Sequence, residues 1–235
     1  MTAIILDIEG TTTSISFVYE VLFPYAREHC QEYLAAHWSS ASLQTVIKQI
    51  REDARADHAA GLAVSTIPES CTIEDVVKSV QSQMDLDRKN RGLKSLQGSI
   101  WVAGYESGEV KGHLFRDVAP AVKRWNDAGI PVYIYSSGSV AAQKLLFGHS
   151  EAGDLLNLLS GHFDTEIGGK REAQSYTNIA KALNLAPSEI VFATDNVLEA
   201  DAAFEAGMKV VVMDRPGNPE TGDHSHRVLV NFDSI

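Results

Sequence analysis

Two carboxylates close the first apolar run of the chain: Ile4-Ile5-Leu6 is followed by Asp7, Ile8 and Glu9, and then by Gly10-Thr11-Thr12. Acids at one strand tip repel each other unless a cation joins them. The pairing suits a hard, oxygen-seeking ion such as Mg2+, usually held by one or two carboxylates with waters and substrate phosphate completing its shell. A carboxylate can also attack phosphorus and split a hydrolysis into two displacements, which makes Asp7 a candidate nucleophile. Three further features follow in order: Ser136-Ser137-Gly138, Lys170 after Gly168-Gly169, and Asp195 after the apolar run 190–194. Ser136 and Ser137 offer hydroxyl and backbone donors to phosphate oxygens, and Lys170 offers a compact positive charge. Taken singly, helix capping or a solvated surface accounts for each as well. Their joint order points to phosphoryl transfer, which is mostly positioning and charge neutralisation.

Groups so far apart in sequence meet only if the fold gathers them, and the ends of parallel strands do so at one edge of a sheet. From about 117 the pattern alternates. A helix containing Trp125 and ending near Gly129 leads to a strand over 131–135, then a helix near 139–148. A helix over 172–184 precedes a strand at 189–194, and a helix near 198–206 precedes a strand at 209–213. This alternation predicts an α/β fold with a doubly wound parallel sheet. Before it, Val18, Leu22, Tyr25, Ala26, His29 and Tyr33 repeat at helical spacing, as do residues over 40–60 and 72–90. We therefore expect an inserted α-helical cap domain over 15–112 and an α/β core formed by 1–14 and 113–235. The stretch 104–112 holds three glycines and reads as a loop or hinge. After Pro216 a loop is expected, with Arg227–Val230 as an edge strand. Trp101 and Phe17 fit a core better than a pocket.

The 235 residues suffice for one substantial core with an insertion, and 44% hydrophobic with 22% charged residues is ordinary for a globular protein. No apolar run is long enough for a membrane span, and Met1 leads into a strand rather than a signal peptide. Cys30 and Cys71 have no close partner, which fits a reducing cytoplasm. A net charge of −11 disfavours nucleic acid as a partner but leaves room for a small anion held by one or two placed cations. His224 and His226 read as residues of a solvated loop, with a ligand role the minor alternative.

The ordered set resembles the haloacid dehalogenase-type phosphatase superfamily: Asp7, Ser136, Lys170 and Asp195 match its four motifs. The resemblance narrows to the enolase-phosphatase branch of methionine salvage through Asp7-Ile-Glu-Gly-Thr-Thr12, Gly104–His113, Tyr133–Ser139, Gln143–His149, Gly161–Thr165 and Arg215-Pro-Gly-Asn218. Glu9 stands where the superfamily usually has a second Asp, as it does in that branch. The resemblance implies one Mg2+ per subunit, held by Asp7, Asp195 and the Glu9 position through its backbone carbonyl. It leaves the Glu9 side chain to act as general acid and base, with Ser136, Ser137 and Lys170 on the phosphate. It implies a small phosphorylated diketone as substrate, 2,3-diketo-5-methylthiopentyl 1-phosphate, enolised and then dephosphorylated to the acireductone under a closing cap. A monomer is expected. The alternative is a phosphatase of the same fold acting on another small metabolite without an enolase step. Asp195 and Glu9 argue against a metal-free dehalogenase, and the cap argues against a phospho-accepting switch module.

Overall fold

The computed structural model describes residues 2–235. Strand β1 (Ala3–Leu6) is followed by a π-helical stretch, Phe17–Leu22, and then by α1 (Phe23–His37), α2 (Ala41–Ala59), α3 (Ile73–Asp85) and α4 (Arg91–Ser107). The remaining α-helices and strands are α5 (Val118–Asp127), β2 (Val132–Tyr135), α6 (Val140–Gly148), β3 (Gly161–Phe163), α7 (Ala173–Leu183), β4 (Ile190–Thr194), α8 (Val197–Glu205), β5 (Lys209–Met213) and β6 (Arg227–Leu229). The chain divides into two compact units, one made of the residues up to Tyr19 with Lys111–Ile235, the other of Glu20–Val110. No helix among the described residues is long and apolar enough to cross a membrane.

The first unit is an α/β fold. Its sheet has the order β3-β2-β1-β4-β5-β6 and every pair is parallel. All four residues of β1 are buried, as expected of a strand covered on both faces. Leu6 is in register with Ile134 of β2 on one side and Ala193 of β4 on the other. The chain runs from β1 through β2 to β3 on one side and then crosses to β4, β5 and β6 on the other, which opens a crevice beyond the carboxyl end of β1. Beneath that edge Tyr135, Tyr176 and Phe192 pack ring against ring, with centroids 5.1 to 6.4 Å apart. The second unit is all-helical around Leu34, Ile47, Ile50, Val80, Leu96 and Ile100. Ser40 caps α2 through Leu43 N–H, and Thr72 with Asp75 forms a reciprocal cap on α3.

The glycine-rich stretch differs from its sequence reading: 104–107 completes α4, and the chain turns only at Gly108, at φ 80°. The reason is packing. A Cβ on Gly104 would come 2.6 Å from the Tyr25 ring, so this glycine admits a neighbour instead of breaking the helix. Tyr25 in turn donates its hydroxyl to Glu109 at 2.7 Å, and burial first and Glu109 second push that phenol up to about 12. Two strands differ as well. β3 carries a motif legible in sequence but spans only Gly161–Phe163, too short for periodicity, and the edge strand β6 stops at Leu229.

Candidate active site

Asp7 extends β1 by one residue, and its backbone N–H still donates to Ala193 O at 2.9 Å. Its side chain is held on three sides: Oδ1 accepts from Ile8 N–H at 2.7 Å and from Lys170 Nζ at 2.5 Å, and Oδ2 from the Thr194 hydroxyl at 3.0 Å. The chain then folds into a tight loop. The carbonyl of Ile8 accepts from the N–H groups of Thr11, Thr12 and Thr13 at 2.9 to 3.2 Å, which forces Gly10 to φ 69°. Any Cβ at Gly10 would meet Asp195 Oδ2 at 2.2 Å, so the loop lies directly against that carboxylate. Asp7 and Asp195, 188 residues apart by number, are therefore side by side.

Lys170 arrives on a loop pinned from below. Tyr135 donates its hydroxyl to Gly168 O at 2.9 Å, Ser175 to Gly169 O at 2.7 Å and Tyr176 to Lys170 O at 2.6 Å. Gly168, at φ 139°, lets Ser175 come so close that a Cβ would sit 2.2 Å from its Oγ. The ammonium, on a side chain only 9% exposed, lies between Asp7 and Glu199, 2.6 Å from Glu199 Oε2. Burial works against its charge, but the carboxylates of Asp7 and Glu199 outweigh it and hold the lysine above its ordinary value. Two carboxyls thus touch one ammonium, and a third, Asp195, lies within reach of its charge. Burial, then the charge of Asp7, pushes Asp195 up to about 7, and the same two causes raise Glu199. An added cation would relieve both.

Ser136 follows β2 one step beyond the level of Asp7, is buried, and accepts from Gly138 N–H at 3.2 Å through Oγ. Ser137 is exposed at the same turn. Gln143 locks this turn by donating Nε2 to Gly138 O and Phe163 O at 2.9 and 2.8 Å, and its Oε1 lies 3.1 Å from His162 Nδ1. Asp164 caps the start of α6 through Val140 N–H at 3.2 Å. The turn is thus a rigid platform at the amino end of a helix, where an anion is favoured.

The fold therefore gathers Asp7, Glu9, Ser136, Ser137, Lys170 and Asp195 at one sheet edge. Sequence reasoning missed Glu199 and Thr194. Thr194 lies 3.0 Å from both Asp7 Oδ2 and Glu199 Oε2, and Glu199 shares the lysine with Asp7. The signal was Glu199 four residues after Asp195, which an acidic first helical turn explains as well. His226 pairs with Asp201 at 2.7 Å and His224 lies 3.3 Å from the Thr221 hydroxyl, away from these groups in the chain. Among the described residues no set of three or more His, Cys, Asp or Glu side chains forms a metal cage. The groups that could take a cation there are the carboxylates of Asp7 and Asp195 at neighbouring strand ends. That fits Mg2+, which fills its other positions with water and phosphate oxygens.

A family model for haloacid dehalogenase-like hydrolases matches residues 1–207. Enolase-phosphatase E1 of Anopheles gambiae is 51% identical over 240 residues, covering 99% of this chain and 81% of that protein. Enolase-phosphatase E1 of Danio rerio is 47% identical over 244 residues, covering 98% and 93%. The crystal structure of the UTR4 protein of Saccharomyces cerevisiae superposes with a TM-score of 0.82 at 33% identity, covering 100% of this chain and 99% of that one. CbbY of Rhodobacter sphaeroides in complex with phosphate shares the fold, with a TM-score of 0.59 at 18% identity over 100% and 96% of the two chains.

Proposed function

The chain belongs to the haloacid dehalogenase-like hydrolases, and we propose that it is an enolase-phosphatase. It converts 2,3-diketo-5-methylthiopentyl 1-phosphate and water to the acireductone and phosphate in methionine salvage. Likeness to enolase-phosphatases at about half identity over nearly the whole of this chain supports the reaction. The observation that carries the chemistry is Asp7 buried against Lys170, with Asp195 beside it.

Hydrolases of this family generally use Mg2+. We propose one ion per subunit, held by Asp7, Asp195 and the Glu9 carbonyl; when bound, it offsets repulsion between a carboxylate and a phosphate. Glu9 removes a proton from the carbon between phosphate ester and carbonyl and delivers it to that carbonyl's oxygen, giving the enol and leaving Glu9 a carboxylate. Asp7 then attacks phosphorus, the ester bond breaks, and Glu9, reprotonated from solvent, protonates the leaving oxygen. Glu9, now a carboxylate, takes a proton from water as that water attacks the aspartyl-phosphate, releasing phosphate and restoring Asp7. Ser136 and the turn through Ser137 bind phosphate oxygens, and Lys170 neutralises charge on both nucleophile and phosphate. We place the enzyme in the cytoplasm as a monomer; its cysteines are free, and burial raises Cys30 to about 11.

The test follows ultraviolet absorbance of the enol and release of phosphate from the diketone phosphate, with Mg2+ and with chelator. Enol formation followed by phosphate release is expected. Phosphate release from other small phosphates without an enol signal would replace this reading by a simple phosphatase. Glu9→Gln should lose both steps; intact enol formation would remove Glu9 as the carbon base.

A further inference from the structure

The loop that carries the nucleophile is steadied from the far end of the chain. Three successive carbonyls leave it, and each is caught. Gly10 O accepts from Asn218 Nδ2 at 2.9 Å, Thr11 O from Arg215 Nε at 3.0 Å, and Thr12 O from Phe115 N–H at 3.0 Å. The two side-chain donors belong to one motif, Arg215-Pro-Gly-Asn218, which the chemistry above does not use. Asn218 also reaches Met213 O at 3.3 Å, tying the loop to the end of β5.

Arg215 is itself immobilised. It is 4% exposed, and its guanidinium lies over the Phe115 and Phe232 rings at 4.8 and 4.6 Å. Its two terminal nitrogens each donate to one Asp117 oxygen at 2.9 Å, and Nη1 also reaches Val230 O at 2.9 Å. Asp117 in turn accepts from Phe232 N–H at 2.8 Å. A planar fork fixed by a bidentate carboxylate between two aromatic faces leaves Nε one direction to point. That direction is Thr11 O.

We infer that Arg215, oriented by Asp117, and Asn218 are positioning residues. They hold the 10–12 segment so that Asp7, Glu9 and the face of Asp195 against Gly10 keep reactive geometry. The inference rests on the hydrolase reading of the site but not on the identity of the substrate. Losing one anchor should loosen the loop without removing any group that touches phosphate, and misplacement of about 1 Å costs on the order of 100-fold in rate.

Two conservative variants separate positioning from stability. Arg215→Lys keeps a cation for Asp117 but has no second donor directed to Thr11 O. Asn218→Asp keeps the shape and replaces the donor to Gly10 O with an acceptor. Each is compared with wild type, in Mg2+, for phosphate release from an aryl phosphate and from the diketone phosphate, alongside its thermal midpoint. We expect kcat to fall roughly 10- to 100-fold for both variants and both substrates, with KM within about 3-fold. Fully folded Arg215→Lys and Asn218→Asp proteins with wild-type kcat would overturn the inference. So would a loss that only tracks the fraction of unfolded protein. Wild type active on the aryl phosphate but silent on the diketone would sink the substrate reading and leave the inference standing. Silence on both would overturn the two together.

Discussion

Replacing Lys170 by Met tests the electrostatic core of the site most directly. The ammonium touches Asp7 and Glu199, whose side chains are only 6% and 11% exposed, so water cannot take its place at either. Removing one partner of a buried ion pair costs about 3–5 kcal/mol, because the stranded charge is left uncompensated. Here a stranded carboxyl can accept a proton, since burial and Asp7 already push Glu199 and Asp195 upward, so the lower end, about 3 kcal/mol, applies. For a chain of this size each kcal/mol moves the thermal midpoint by about 2–4 °C, giving a fall of about 6–12 °C in chelator at neutral pH. A carboxyl raised in the folded state contributes stability that is complete below its unfolded value and lost as pH rises through the folded one. The variant should therefore recover toward wild type as pH is lowered to about 4. Phosphate release should fall at least about 100-fold, the usual scale for losing one preorganised charge. A midpoint within about 2 °C of wild type across that range, with activity retained, would refute the three-acid, one-ammonium account.

Asp195→Asn should steepen the Mg2+ requirement, shown by a titration of activity against the ion; an unchanged curve would remove Asp195 as a ligand. Gly10→Ala should abolish most activity, since the new methyl would meet the Asp195 carboxylate at a backbone angle that side chains rarely adopt. Wild-type kinetics in that variant would mean that loop and acid are not in contact. Burial first, then the charge of Lys144, lowers His162, so its contribution to stability is complete above its ordinary range and is lost as pH falls through the lowered value. His162→Gln should flatten the acid-side decline of the thermal midpoint below about pH 6.5, and equal slopes for both proteins would count against it.

Sequence carried the site further than the helical insertion. Asp7, Ser136 and Asp195 stand at strand ends that announce themselves as apolar runs, and their parallel register follows from helices lying between. Glu199 was hidden because a carboxylate opening a helix has an ordinary explanation, and only a lysine arriving from residue 170 gives it another. Gly104 misled for the converse reason. Its role is close approach by Tyr25, and nothing local distinguishes a glycine that admits a ring from one that ends a helix. Arg215 was legible as part of a motif but not as an anchor, because its partners Thr11, Asp117, Phe115 and Phe232 are brought together only by the fold.

The hydrogen bond from Arg215 to Thr11 closes a span of 204 positions. During synthesis the nucleophile's strand is therefore made early, while the guanidinium that fixes its turn comes late. Long closures form after local ones. An emerging chain thus carries its reactive acid on an unsteadied loop until β5 and the residues after it have been made.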